Sequence, residues 1–301
     1  MQKLIRLFYA LSFAFILMGF VSCKKETVEN GKQIVLRFSE PMPSEHPSAA
    51  ASSYFADIVK QRSGQRINIK IYFNGQLGTQ EEVLDQIQFA GIDIGRVNIS
   101  FLLEKVQSFS SKFQELMYSS PEEIASYFQE NQTSLSFECQ AEKLIPLGAL
   151  HPDLRCFYSD STLISSVAEL KQRRIGIFEN RVLISAIKKL EADPVNIISA
   201  DIYGSLINGY MDAREAALCD FLIGDEYPFI NYVLITPYIS LPDLFVMSAE
   251  VFSDFSSTDK DLLIKCAEDA GKYYVHRQKQ FLEDKLPALK KEKTVYEDFI
   301  K

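Results

Sequence analysis

One residue in this chain has a reaction written into its neighbourhood. Cys23 follows Ser22, and before it a basic start at Lys3 and Arg6 leads into a nearly continuous apolar stretch, Leu7 to Phe20. That order is a secretory signal with a lipobox-like end rather than a transmembrane helix, although Phe20 stands where such sites usually carry leucine. Its chemistry is cleavage before Cys23 and acylation of the cysteine thiol and amine, which tethers an exported body to a bacterial membrane. Residues 1–22 are therefore expected to be the lipoprotein signal, and the polar residues 23–32 a short tether.

Other reactive side chains are scattered. The three histidines, His46, His151 and His276, nowhere pair at metal-ligand spacing. Cys139, Cys156, Cys219 and Cys266 form no CxxC pair and read as buried small apolar residues. GxSxG, Walker, GxGxxG and HExxH patterns are absent, and the many carboxylates read as solvated helix faces. No catalysis, cofactor or metal is expected. A net charge of −8 leaves no basic excess to neutralise phosphates, which argues against nucleic acid. Lys24 and Lys25 can add a weak contact to anionic head groups beside the anchor.

Binding is what remains, and the elements say where. Ile34, Leu36 and Phe38 alternate with other residues as a first strand, and Ile67, Ile69 and Ile71 do so as a second. Between them Ala51, Phe55, Ile58 and Val59 recur at helical spacing after the proline-rich loop Glu40 to Pro47. Thr79 with Glu82, and Ser120 with Glu123, are capping boxes opening further helices. Ile92, Ile94 and Val97 form a strand that ends at Asn98. A second run has a strand at Ile175–Phe178, a helix at Val182–Leu190 and a strand at Val195–Ile198. Asp201 can cap the next helix, and a long helix from Thr258 is expected to run to Pro287. This alternation predicts an α/β chain with mainly parallel sheets. Ligands of open α/β sheets bind beyond the strand C-termini, which singles out Asn98; Phe178, at the end of its strand, is placed to stack on a ligand.

Specific residues carry a resemblance. Leu36-Arg-Phe-Ser, Glu45-His46-Pro47, Phe55-Ala-Asp-Ile-Val59, Gly75-Gln-Leu-Gly78 and Gly91-Ile-Asp93-Ile follow one another in order. Ser166-Val-Ala-Glu-Leu170-Lys171, then Ile202-Tyr203 with Gly209-Tyr-Met-Asp212, then Thr236-Pro-Tyr-Ile-Ser-Leu241 with Met247-Ser continue the series. Over nearly all of residues 33–285 it resembles the solute-binding proteins of TRAP (tripartite ATP-independent periplasmic) transporters. The resemblance implies an α/β, two-lobed periplasmic binding protein fold with crossing strands and a long shared C-terminal helix. Its lobes would be residues 33–153 with 242–275, and 154–241 with 276–301. It implies capture of a small ligand and delivery to the membrane permease subunits, in some relatives with a tetratricopeptide-repeat partner. A ligand-sensing or protein-interaction lipoprotein on the same fold is the competing expectation.

Two departures bear on the ligand. Proteins of this kind hold a carboxylate with an arginine on the central strand, but Leu170-Lys-Gln-Arg-Arg-Ile175 leads here to Gly176. An asparagine position in the later segment is Ala216. The pocket is therefore expected to be retuned toward a hydrophobic or weakly polar ligand. The resemblance leaves Arg155, at the start of the second lobe, to hold one polar end of the ligand, with Tyr158, Glu179 and Glu215 as further candidates.

Overall fold

The computed structural model describes residues 33–106, 113–178, 180–197 and 201–299. The signal, the tether with Cys23, and Glu179 lie outside the described residues.

The chain opens with β1 (Ile34–Ser39), α1 (Pro47–Arg62), β2 (Ile67–Tyr72), α2 (Gln80–Gln88), β3 (Ile94–Asn98) and α3 (Ile99–Lys105). Local chemistry sets the helix starts. His46 Nδ1 accepts from the Ser48 N–H to cap α1, and Thr79 and Glu82 form a reciprocal box at α2. A second box, Ser120 with Glu123, opens α4 (Pro121–Gln140), which leads into β4 (Leu144–Ala149). The strands β2-β1-β3 are parallel, as the alternation predicts.

After β4 the chain crosses to a second sheet. It contains β5 (Arg155–Ser159), β6 (Arg174–Ile177), β7 (Asp193–Asn196), β8 (Ala213–Ala217) and β9 (Tyr232–Ile235), with α5 (Arg181–Lys189), α6 (Ile202–Ile207) and α7 (Leu218–Phe221) between them. Residues 236–242 cross back, and β10 (Asp243–Ser248) inserts between β3 and β4, antiparallel to both. α8 (Ala249–Ser253) and α9 (Ser257–Glu292) follow, and β11 (Thr294–Glu297) ends the second sheet beside β9. The strand orders are β2-β1-β3-β10-β4 and β11-β9-β5-β8-β6-β7.

Both sheets are thus mixed rather than mainly parallel, because each receives strands from a crossing of the chain. The return strand is β10; residues 236–242, which hold Pro237 and Pro242, are not a strand. β7 starts two residues before the predicted strand and includes Pro194, which an edge position tolerates.

α9 serves both sheets. Leu263, Cys266, Ala267, Ala270 and Tyr274 pack into the core around Phe38, Phe55 and Phe245, whereas Leu289 packs with Tyr158 and Phe221. It comes so close to β4 that a Cβ at Gly271 would lie 2.7 Å from the Ala149 carbonyl oxygen. The helix passes Pro287 instead of stopping there. A proline forfeits one backbone bond, and Leu289, buried in the second core, holds the last turn in place. A third apolar cluster, with Val97, Leu102 and Leu244 on one side and Phe157, Ile175 and Ile177 on the other, joins the two lobes.

Candidate functional site

The lobes touch where strands end. β3 finishes at Asn98, whose Oδ1 accepts from Ser100 N and Oγ and caps α3. β6 finishes at Ile177, and Asn180 caps α5 by accepting from Val182 N and Leu183 N. The two caps face each other: Asn180 Nδ2 donates to Ser100 Oγ at 2.8 Å, and Arg181 N donates to Glu104 Oε1 at 2.9 Å. The C-terminal ends of parallel strands from both sheets therefore meet across the lobe boundary, the usual place for a ligand in an open α/β sheet.

Charged side chains cluster behind this seam. Arg96 on β3 donates to Glu40 from Nε at 2.9 Å and from Nη2 at 2.6 Å, and pairs through Nη1 with Asp243. Burial works against the Arg96 charge, but Glu40 and Asp243 outweigh it and raise its pKa. Asn98 Nδ2 donates to Asp243 Oδ1 at 2.9 Å and to the Leu241 carbonyl. Arg155, where β5 begins, holds Glu215 of β8 side-on, Nε to Oε1 at 2.6 Å and Nη2 to Oε2 at 2.7 Å. Here too burial opposes the charge, and Glu215 more than restores it. His46 Nε2 lies 3.2 Å from Asp220 Oδ1 across the lobes. Burial pushes the Asp220 carboxyl up, yet His46, Arg96 and Arg155 together hold it below its ordinary value. Asp153, half-buried where it accepts from Cys219 N and Gln278 Nε2, is pushed up by desolvation.

Arg214 on β8 differs from these arginines. It is only 2% exposed, yet among the described residues no carboxylate pairs with it. Its Nη1 donates to the Gly176 carbonyl at 3.0 Å, its Nε is buried without a partner, and its guanidinium lies 4.1 Å from the centre of the Phe178 ring. Strand register puts it there. Arg214 is directly opposite Gly176 of β6 and Tyr158 of β5, so the three share one face of the sheet.

The described sequence candidates fall into three groups. Arg155 and Glu215 come together, as each other's ion-pair partner. Phe178 and Tyr158 flank Arg214; Phe178 remains 43% exposed, while Tyr158 is buried, stacks on Phe221 and donates to Glu226. Asn98 belongs to the Arg96–Asp243 cluster in the other sheet, with its side chain committed to the α3 cap. Sequence reasoning missed Arg96, Glu40, Asp220 and Arg214. The expectation of an uncharged pocket rested on the missing cation at Gly176, and a buried guanidinium, that of Arg214, stands one strand away at the same level. The only clue was Arg214's place two residues after Asp212 in the resembling segment, and its meaning depends on a register that the sequence does not state.

The four cysteines Cys139, Cys156, Cys219 and Cys266 are buried free thiols. Among the described residues no cluster of three or more His, Cys, Asp or Glu side chains can hold a metal ion.

Residues 38–300 match the model of bacterial extracellular solute-binding protein family 7 (DctP). A solute-binding protein of Chromohalobacter salexigens is 21% identical over 231 residues, 76% of this chain and 69% of that protein. The sugar acid binding protein DctPAm of Advenella mimigardefordensis, solved in complex with galactonate, superposes with a TM-score of 0.78 at 21% identity, covering 89% of this chain and 87% of that one. A TRAP periplasmic solute-binding protein of C. salexigens with bound D-glucuronate superposes with a TM-score of 0.79 at 18% identity, covering 88% of each chain.

Proposed function

The chain belongs to bacterial extracellular solute-binding protein family 7, the solute-binding component of TRAP transporters, and from that premise we propose that it captures a small organic acid between its lobes and delivers it to a membrane permease. The observation that carries this reading is the meeting of the β3 and β6 ends across the lobe boundary, bridged by Asn180 and Ser100. A ligand seated at these strand ends would be enclosed as the lobes close, and the two crossings and α9 are the connections about which they would move. Galactonate and D-glucuronate in the two solved relatives support an acid as the class of ligand. Arg155, fixed by Glu215, serves in this reading as a strut of the cleft floor. Cys23 is the proposed lipid anchor that keeps the carrier beside its permease, outside the cytoplasm.

Native mass spectrometry of the purified protein, followed by denaturation and identification of what is released, tests the reading. A released organic acid is expected. A released lipid or other uncharged apolar molecule would overturn it and restore the hydrophobic ligand expected from Gly176 and Ala216.

A further inference from the structure

Among the described residues three arginines are buried, Arg96, Arg155 and Arg214. Two of them hold carboxylates of the chain itself, Glu40 and Asp243 for the first and Glu215 for the second. A buried guanidinium without a counter-charge is costly, and the third has none among the described residues, which leaves room for a partner from outside the chain.

The geometry specifies that partner. Arginine binds a carboxylate side-on through Nε and Nη2, as Arg155 does with Glu215. On Arg214 the Gly176 carbonyl takes Nη1, and Phe178 covers a face of the guanidinium. Neither occupies the Nε–Nη2 edge, and Nε is the buried donor left unpartnered. Phe178 also ties the group to the lobe seam, since it stands two residues before Asn180, which reaches Ser100 of the other lobe.

The same packing explains why the cation is on β8. A Cβ at Gly176 would lie 2.1 Å from Met211 Sδ and 3.2 Å from Ile197 Cγ1, so no side chain fits on β6 at this level. The cation at this level is carried by its direct neighbour Arg214, which donates to the Gly176 carbonyl.

We propose that Arg214 is the anion anchor of the ligand site, taking one carboxylate bidentately through Nε and Nη2 with Phe178 stacked against the guanidinium. Because Arg96 and Arg155 are already neutralised, a second ligand carboxylate near them would meet Glu40, Asp243 or Glu215 without a free cation. The ligand is therefore a monocarboxylate, and its remaining polar groups are uncharged. This rests on the organic-acid reading above and sharpens it.

The test is isothermal titration of the full-length protein in detergent, freed of co-purified ligand by unfolding and refolding. Galactonate, glucuronate and pantoate serve as monocarboxylates, and succinate and malate as dicarboxylates. At least one monocarboxylate is expected to bind more tightly than either dicarboxylate. Arg214→Gln should weaken it roughly 10- to 150-fold, the worth of a charge-assisted hydrogen bond. Arg214→Lys, which keeps the charge but not the fork, should fall in between. The ligand-free Arg214→Gln protein should melt no lower than wild type, because an unpaired buried charge has been removed. Unchanged acid affinity in Arg214→Gln would overturn the anchor while leaving the organic-acid reading standing. A ligand-free melting point that falls while affinity holds would do the same and make Arg214 structural. Wild-type protein that binds none of the acids, or prefers the dicarboxylates, would overturn the proposal; in the first case the organic-acid reading falls with it.

Discussion

Replacing Glu215 with glutamine tests whether Arg155 is a strut, and the structure sets the size of the effect. The pair makes two charge-assisted bonds, 2.6 and 2.7 Å long, between side chains 11% and 1% exposed. At this burial solvent screens little of the attraction, and removing one partner strands the other charge. Breaking such a pair costs about 3–5 kcal/mol. Each kcal/mol lowers the melting temperature of a chain this size by about 2–4 °C, so Glu215→Gln should lose roughly 6–20 °C. Arg155→Met is the informative counterpart. It strands the buried Glu215 carboxylate instead of the guanidinium, so it should lose stability on the same scale. The double replacement Arg155→Met/Glu215→Leu should regain most of the loss, because well-packed apolar residues often equal a buried pair. Thermal unfolding of the four proteins decides the matter. A Glu215→Gln loss below about 1 kcal/mol, or a double variant no more stable than the single ones, would refute the reasoning and return Arg155 to the list of ligand-holding groups.

Further predictions concern separate parts of the fold. Gly271→Ala should destabilise by about 1–3 kcal/mol in urea unfolding, since the new methyl meets the Ala149 carbonyl rather than a movable side chain. Asp259, held below its ordinary value chiefly by Arg66, contributes stability that is present above the usual carboxylate pKa of about 3.9 and is lost as the pH falls further. Asp259→Asn should therefore be less stable than wild type at neutral pH, and the gap should narrow toward pH 3. The folded protein should show no fast-reacting thiol toward an aromatic disulfide reagent. Burial pushes Cys139 up to about 12 and Cys156 and Cys219 well above their ordinary value, while acylation would cap Cys23. One fast-reacting thiol, mapped to Cys23, would count against the anchor.

How legible the molecule was depended on the range of the interaction. Helix starts were written locally: Thr79 with Glu82 and Ser120 with Glu123 form the expected boxes, because a cap involves residues three apart. Strands with clear alternation, such as Ile67 to Ile71, appear where alternation puts them. What crossed between lobes was not readable from periodicity. The insertion of β10 between β3 and β4 joins residues about 100 or more apart, and only the ordered resemblance carried the crossing topology. α9 outran Pro287 because a tertiary contact, that of Leu289, overrode a local signal.

The site shows the same division more sharply. Reading along β6, Gly176 looked like the loss of a cation, and Ala216 on β8 looked like a second loss. Reading across the sheet, the two strands are parallel with Gly176 opposite Arg214, and the apparent losses lie on either side of a buried guanidinium. A shift of one residue in that register would turn Arg214 to the opposite face and leave Gly176 beside a different neighbour. The charge inventory of a pocket is therefore a property of strand pairing as much as of residue type. An arginine absent from one strand is informative only when the adjoining strand has been read in register. Here the adjoining strand holds a buried arginine that pairs with no carboxylate among the described residues, and the proposed acid ligand rests on that strand as much as on β6.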